Sequence, residues 1–452
     1  MVKNFSEMEK DILQKITPTS NERKTLNSIV QELTHLIQQK IREKNFPITT
    51  KLVGSIAKDT YLRTALDIDL FLLFPLTYSK QDLGSIAISI GEEILKNTEK
   101  CYAEHPYIRG NYQGFKTEIV PSYRIESSSQ KLSAVDRTPL HTKYIQQELS
   151  ESQKNDIRLF KQFLRGIGCY GAEAEVEGFS GYLCEILILK YNTFHNLVRS
   201  AQDWRVGTIL SLSSDPGSVF ATPLIFIDPV DAERNVASAL SPEKFSFFVH
   251  ACKAYVKKPG TTFFFPNPIQ PWSLSQIKEK LRSKTIVGIQ FSKPNIISEN
   301  LFPQLRKATR SIQELCEQSN FTVYNTTFHL SPTNITIILD IKSERLSKTT
   351  KHLGPPITMK KNAEEFIQKW TSHPRAIAPP QVRNGRLFVT IVRKYSDIQP
   401  LLQENLNALS MGKHLDAIIK KKYFILTKEE LVQKNLRLFW TENLDKKMPW
   451  GR

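Results

Sequence analysis

The segment Asp67-Ile-Asp69-Leu-Phe-Leu-Leu-Phe74 constrains the fold more than any other. Five apolar residues in a row suit a strand buried on both faces, so layers must cover it on each side. Side chains two apart on a strand share a face, which sends Asp67 and Asp69 out together. Adjacent carboxylates repel one another unless a cation lies between them. Magnesium prefers hard oxygen ligands and is commonly held by one or two carboxylates plus substrate phosphates. Gly54-Ser55 precedes the pair, at the end of a strand-like run from Ile48. A Gly-Ser turn entering a short helix over 55–62 offers backbone N–H groups and a hydroxyl to a phosphate. Together these features describe a site for a metal and a nucleoside triphosphate. Two metals aligning a hydroxyl attack on an α-phosphate need a third carboxylate. Glu118, in a strand-like stretch, is the candidate.

Helical spacing recurs over 5–45 and 79–96, with Thr19, Ser20 and Ser79 as caps. Residues 101–124 read as a hairpin turning at Gly110-Asn111. Further helices are expected over 151–166, 179–200 and 242–256. The stretch 259–272 holds four prolines and breaks regular structure. Beyond it, 285–291, 335–341 and 387–393 are strand-like, and 300–318 and 396–422 are helical. Residues 342–361 are polar, basic and interrupted by Gly354-Pro-Pro356.

The 452 residues imply about two to four domains. The net charge of +17 is unevenly placed: residues 1–252 carry −1 and residues 253–452 carry +18. A basic half of this kind points to a polyanion partner, nucleic acid or anionic membrane. No apolar run reaches the roughly 18 residues of a membrane span, and the first residues lack a signal peptide's apolar stretch. The five cysteines are scattered without CxxC spacing, which argues against a zinc site. A reduced, cytoplasmic setting is the expectation.

In chain order come Gly54-Ser55, Asp67-Ile-Asp69, Tyr102-Ala-Glu-His-Pro-Tyr107, Ser133-Ala-Val-Asp-Arg-Thr-Pro139, Gly178-Phe-Ser-Gly-Tyr-Leu-Cys-Glu185 and Asp228-Pro-Val-Asp-Ala-Glu-Arg-Asn-Val236. This ordered set closely resembles the class I, archaeal-type CCA-adding enzymes, tRNA nucleotidyltransferases of the polymerase-β-like superfamily. The resemblance is dense over 1–260 and thinner through Asn300–Leu305 and Leu353–Pro356. It implies an α+β multidomain fold. A polymerase-β-like nucleotidyltransferase head with a mixed or antiparallel sheet would span 1–140 and a helical neck 141–258. An α/β body would span 259–318 and 390–452, with a tail at 319–389.

The same resemblance implies template-independent addition of C, C and A to the 3′ end of tRNA from CTP and ATP. Pyrophosphate would leave by a two-metal mechanism, with two Mg2+ ions on Asp67, Asp69 and Glu118. Gly54, Ser55 and Lys58 would meet the triphosphate from the head, and His141, Lys161 and Tyr170 from the neck. Arg234 would help choose the base together with the growing RNA end, with Glu104 and His105 as weaker base-pocket candidates. Body and tail would grip the acceptor stem and T arm, with no role for a membrane. Homodimerisation through the body stays open.

The chain departs from the family at the carboxylates. The family usually carries Glu-x-Asp in place of Asp67-Ile-Asp69, Asp in place of Glu118, and often Arg in place of Lys58. One shorter and one longer arm are expected to compensate, with Glu118 reaching into space that Asp67 vacates. Two other readings stay open: a poly(A)-type nucleotidyltransferase, and an RNA-binding homologue whose catalysis the altered carboxylates impair.

Lys342, Arg345, Lys348, Lys351, Lys360 and Lys361 form one basic stretch, and Lys413, His414 and Lys420–Lys422 another. Dispersed lysines suit an A-form stem, which is read through backbone and shape. Affinity for tRNA, measured by fluorescence anisotropy between about 50 and 200 mM salt, should fall steeply. Neutralising these two clusters should remove most of that slope; an unchanged slope would place the grip elsewhere.

Overall fold

The computed structural model describes residues 2–102, 105–212 and 220–452. The chain divides into two compact units, Met1–Pro268 with Lys447–Arg452, and Ile269–Lys446.

The first unit begins with α1 (Val2–Ile16) and α2 (Ser20–Glu43). They part at Thr19, whose side chain accepts from Glu22 N while Glu22 accepts from Thr19 N. This reciprocal cap satisfies two donors that the start of α2 would otherwise leave open. The stripe Leu26, Ile29, Val30, Leu33, Ile37 and Ile41 of α2 is buried in the head core. The head sheet contains β1 (Thr49–Leu52), β2 (Asp67–Phe74), β3 (Lys96–Tyr102), β4 (Pro106–Tyr112) and β5 (Phe115–Tyr123). Its order is β1-β2-β5-β4-β3. The β2–β5 pair is parallel and the others are antiparallel, so the sheet is mixed.

The one-turn helix α3 (Gly54–Ala57) follows β1, and α4 (Lys80–Ile94) follows β2 behind its Ser79 cap. Ile68, Leu70, Leu72 and Phe74 are fully buried on one face of β2, while the other face buries only Phe71 and leaves Asp67 exposed and Asp69 and Leu73 half-buried, so the strand is less evenly covered than its apolar run suggests. The β4–β5 turn lies at Gln113-Gly114, with φ of 48° and 89°, rather than at Gly110-Asn111. Two consecutive left-handed residues make the tight turn whose twist matches a hairpin. Gly110 stays inside β4 for packing: a Cβ there would sit 2.8 Å from Leu95 Cβ.

The neck comprises α5 (Thr138–Glu148), α6 (Glu151–Gly166), α7 (Gly181–Tyr191), α8 (Phe194–Ala201) and α9 (Pro242–Lys257). A small sheet of β6 (Thr208–Leu210), β7 (Leu224–Asp228) and β8 (Asp231–Asn235) lies between α8 and α9 in the chain. Its core is aromatic: Phe179 and Phe248 have centroids 4.6 Å apart, and Phe160, Phe163, Phe194 and Tyr255 surround them. Ile12 and Ile16 of α1 are buried in this same core, so the first helix packs with the neck although it precedes the head. Residues 447–452 also belong here, not with the second unit, because Trp450 stacks on Phe263 at 5.0 Å.

The second unit contains α10 (Leu274–Lys280), β9 (Thr285–Ser292), α11 (Ser298–Gln318), β10 (Val323–Leu330) and β11 (Asn334–Ile341). Then come β12 (Thr349–Pro356), α12 (Lys360–Thr371), β13 (Gln381–Arg383), β14 (Arg386–Val392), α13 (Ile398–Asn405), α14 (Lys413–Ile419) and β15 (Tyr423–Leu426). One sheet has the order β10-β11-β9-β15, and a separate one the order β12-β14-β13. The first buries Ile335, Ile337, Leu339 and Ile341 with Leu305, Ala308 and Ile312 of α11. Residues 334–341 pair with β9, and 323–330 join the same sheet through β11. The separate sheet packs its Leu387, Val389 and Ile391 with Phe366 and Trp370 of α12. Among the described residues, no helix is long and apolar enough to cross a membrane.

A Cβ on Gly166, at the end of α6, would sit 2.0 Å from the Phe263 carbonyl oxygen. Gly→Ala in an open helix stabilises by up to about 1 kcal/mol. Here it should instead destabilise, by about 1–3 kcal/mol, because the obstacle is backbone. Thermal melting of Gly166→Ala checks the sign; an unchanged or raised midpoint would contradict this packing.

Candidate active site

The parallel β2–β5 register sets Asp69 opposite Glu118 and Asp67 opposite Lys116. Neighbouring strands lie about 4.8 Å apart, so the three carboxylates share one end of the sheet. Asp67 is exposed, while Asp69 and Glu118 are half-buried. Burial, with Glu118 and Asp67 adding repulsion, pushes the Asp69 carboxyl up to about 7. The other two are held by cations. Lys116 Nζ lies 3.2 Å from Asp67 Oδ2, and Arg109 Nε donates to Glu118 Oε1 at 2.8 Å. Among the described residues, no three such side chains converge into a ready metal group. The donors nonetheless fit a divalent ion: all are hard oxygens, and their mutual repulsion is what such an ion relieves.

Gly54 backs this cluster. Its φ is +72°, and a Cβ there would sit 2.0 Å from Asp69 Oδ2. The left-handed backbone and the close approach both demand glycine. Val53 N also donates to Asp69 O at 3.0 Å, which ties β1 to β2 at the site. Ser55 is half-buried in α3, and its carbonyl accepts from Thr60 N at 2.9 Å.

A second cluster joins head and neck. Glu185 of α7 is fully buried and accepts from Lys58, from Thr60 Oγ1 at 2.6 Å and from Lys161 Nζ at 3.2 Å. Burial alone would raise the Glu185 carboxyl, but Lys58 and Lys161 hold it below the usual range. Burial lowers the Lys161 ammonium, and its three donors are spent on Glu185, Thr60 O and Thr60 Oγ1. The two lysines expected at the triphosphate thus both point to one interior carboxylate. Tyr170 is half-buried beside them. Gly181 adjoins both, since a Cβ there would meet the Tyr170 hydroxyl at 3.4 Å and Lys161 Nζ at 3.9 Å, ordinary contact distances.

A third cluster centres on Asp228, at the end of β7. His141 Nε2 lies 2.8 Å and Arg234 NH1 2.7 Å from its Oδ2, while Tyr182 OH donates to Oδ1 at 3.1 Å. Burial would raise this carboxyl, yet His141 and Arg234 hold it below the usual range. Burial lowers the His141 imidazole against the pull of Asp228. Arg234 does not pair with its chain neighbour Asp231, which takes Lys131 at 2.6 Å and Arg137 at 3.0 Å.

The structure therefore gathers Asp67, Asp69, Glu118 and Gly54 in one cluster, Lys58 and Lys161 in a second, and His141 and Arg234 in a third. His105 does not join them: it is buried with its ring edge-on to Tyr123. Glu104 lies outside the described residues. Sequence reasoning missed Arg109, Lys116, Thr60, Tyr182, Glu185 and Asp228 as site residues. The last three lay inside the motif segments; only the fold shows which side chains they hold.

Family models match three stretches of the chain. A nucleotidyltransferase domain matches residues 37–141, a tRNA nucleotidyltransferase second domain 155–265, and the C-terminal domain of the CCA-adding enzyme 282–428. A CCA-adding enzyme of Methanosarcina barkeri is 35% identical over 426 residues, 93% of each chain. One of Archaeoglobus fulgidus is 35% identical over 385 residues, 84% of this chain and 86% of that one. A solved structure of the Cid1 poly(U) polymerase, 14% identical, gives a TM-score of 0.45 and covers 57% of this chain and 94% of that one.

Removing one partner from a buried ion pair costs about 3–5 kcal/mol. Glu185→Ala, which strands Lys58 and Lys161, should lower the unfolding free energy from urea titration by that much, with the slope unchanged. A loss below about 1 kcal/mol would mean that the lysines find water instead.

Proposed function

The chain belongs to the CCA-adding enzymes, tRNA nucleotidyltransferases that need no nucleic-acid template, and on that premise we propose how its residues divide the work. Asp67, Asp69 and Glu118 would hold two Mg2+ ions. Bound there, the ions would make the RNA 3′-hydroxyl a better nucleophile and offset the charge of the departing pyrophosphate. The 3′ oxygen forms its bond to the α-phosphorus of CTP or ATP as the bond to pyrophosphate breaks. Arg109 and Lys116 must release Glu118 and Asp67 for this; Lys116 is half-exposed, and Arg109 has Glu99 and Tyr107 within reach as other partners.

Gly54 and Ser55 keep the backbone close to the triphosphate, and Lys58 and Tyr170 add a cation and a hydroxyl donor at its margin. Lys161, its donors spent, contributes charge and holds Glu185 in place. His141 would offer phosphate the Nε2 proton that Asp228 now holds, and Arg234 would turn toward the base the guanidinium arm that makes no bond among the described residues. The tRNA phosphates would rest on the second unit. There a hollow of about 320 Å³ is lined by Lys351, His352, Arg375, Arg393 and Lys394, with no carboxylate among its lining residues. A reduced, cytoplasmic setting suits five buried thiols and no disulfide among the described residues.

The observation that carries the reading is the Asp69–Glu118 register, with Gly54 pressed against Asp69. Asp69→Asn should cut C and A addition to a CCA-less tRNA by more than about 100-fold, the upper end for residues that merely support a metal ligand. Its tRNA affinity should stay within about twofold. A comparable loss of affinity would place Asp69 in folding or RNA contact instead.

A further inference from the structure

We infer that Asp228 is a positioning residue that couples the phosphate side of the nucleotide site to its base-reading side. The inference rests on the roles of His141 and Arg234 proposed above. An ionised carboxylate only accepts hydrogen bonds, so every group around Asp228 must donate to it. His141 therefore carries its proton on Nε2, and a phosphate that takes up His141 must compete with Asp228 for that proton. Tyr182 stacks on that imidazole, with centroids 3.9 Å apart at 22°, while its hydroxyl reaches the other oxygen of Asp228. Ring plane and tautomer are thus fixed by the same carboxylate.

Arg234 lands on the oxygen that His141 uses. One arm of its guanidinium is pinned, and about 30% of the side chain faces outward. Its orientation has no rival, because Lys131 and Arg137 already neutralise Asp231. Val230 N donates to Asp228 Oδ1 at 3.1 Å, which locks the carboxylate to the Pro229-Val230 turn leading into β8. His141 comes from α5, Tyr182 from α7 and Arg234 from β8, so three elements are registered on one buried group. A base that draws Arg234 off Oδ2 strengthens the remaining His141 bond, and a phosphate that draws His141 away does the converse. Each side of the nucleotide is thereby sensed by the other, and such couplings amount to about 5–150-fold in affinity.

The test uses the full-length protein with tRNA ending before CCA and with tRNA ending in CC. Asp228→Asn removes the charge and one of the accepting oxygens. Discrimination of CTP and ATP against UTP and GTP should fall at least about tenfold, and KM for the correct nucleotides should rise by a similar factor. In an Arg234→Ala background, Asp228→Asn should change discrimination no further. Tyr182→Phe keeps the ring stack and removes only the Oδ1 bond; it should shift discrimination the same way by a smaller factor, with an unchanged melting midpoint. A merely structural Asp228 would lower the melting midpoint and kcat with discrimination intact, and that result would overturn the inference. If Asp228→Asn and Tyr182→Phe both keep discrimination while Arg234→Ala loses it, the coupling alone falls. If Arg234→Ala itself keeps discrimination, the base-reading role falls and the inference with it.

Discussion

The Glu185 carboxylate is the interaction on which the active half of the molecule depends. It lies in an interior where a lone charge would be untenable, and Lys58, Lys161 and Thr60 make it tolerable. Two of these partners come from the head and one from the neck. Arg158 reinforces the same seam, donating to Tyr61 O at 3.1 Å and to Asp59 Oδ1 at 2.7 Å. The stretch 58–61 lies just beyond Gly54-Ser55, so the neck decides where the turn beside Asp69 comes to rest. Two cations against one anion also leave a positive remainder beneath the site, which suits a floor for a triphosphate.

The three clusters separate the demands of the reaction. Asp67 and Asp69 stand at the end of a strand whose inner face is fully buried, where the backbone cannot shift without opening the head core. Arg234, proposed above to read the base, stands on the β7–β8 pair in the neck. Charge is offset locally in each: Lys116 and Arg109 beside the carboxylates, the lysines at Glu185, His141 and Arg234 at Asp228. The first two offsets are between side chains that metal or phosphate would compete for, so ligand binding exchanges partners instead of burying new unpaired charge.

Much of the head was legible in the sequence, because β2 combines an apolar run with a carboxylate pair and only a central strand serves both. The helices α2 and α4 followed from spacing and caps. The turn did not. Placing it at Gly110-Asn111 moves the turn by three residues, shifts each cross-strand partner by six, and removes Arg109 from its place opposite Glu118. The left-handed pair Gln113-Gly114 was the overlooked signal, since glutamine rarely adopts such backbone. The strand β10 escaped because its alternation mixes Asn, Thr, Phe and His on a half-exposed edge, and its order comes from pairing with β11. Partners such as Asp228 and Glu185 could be read as residues but not as hubs, because their ligands lie about 90 and 125 positions away in the chain.

The return of Lys447–Arg452 to the first unit has a consequence for synthesis. Trp450 completes an aromatic stack with Phe263 and Phe247, yet translation delivers it only after every residue of the second unit has emerged. At about 5–20 residues per second, that interval lasts roughly ten seconds or more. During it the neck core holds together with an unfilled face at Phe263, and the second unit can fold as a closed loop whose two ends are brought home by one tryptophan. The ribosome therefore imposes an order: the nucleotide-handling half forms first, and is sealed last.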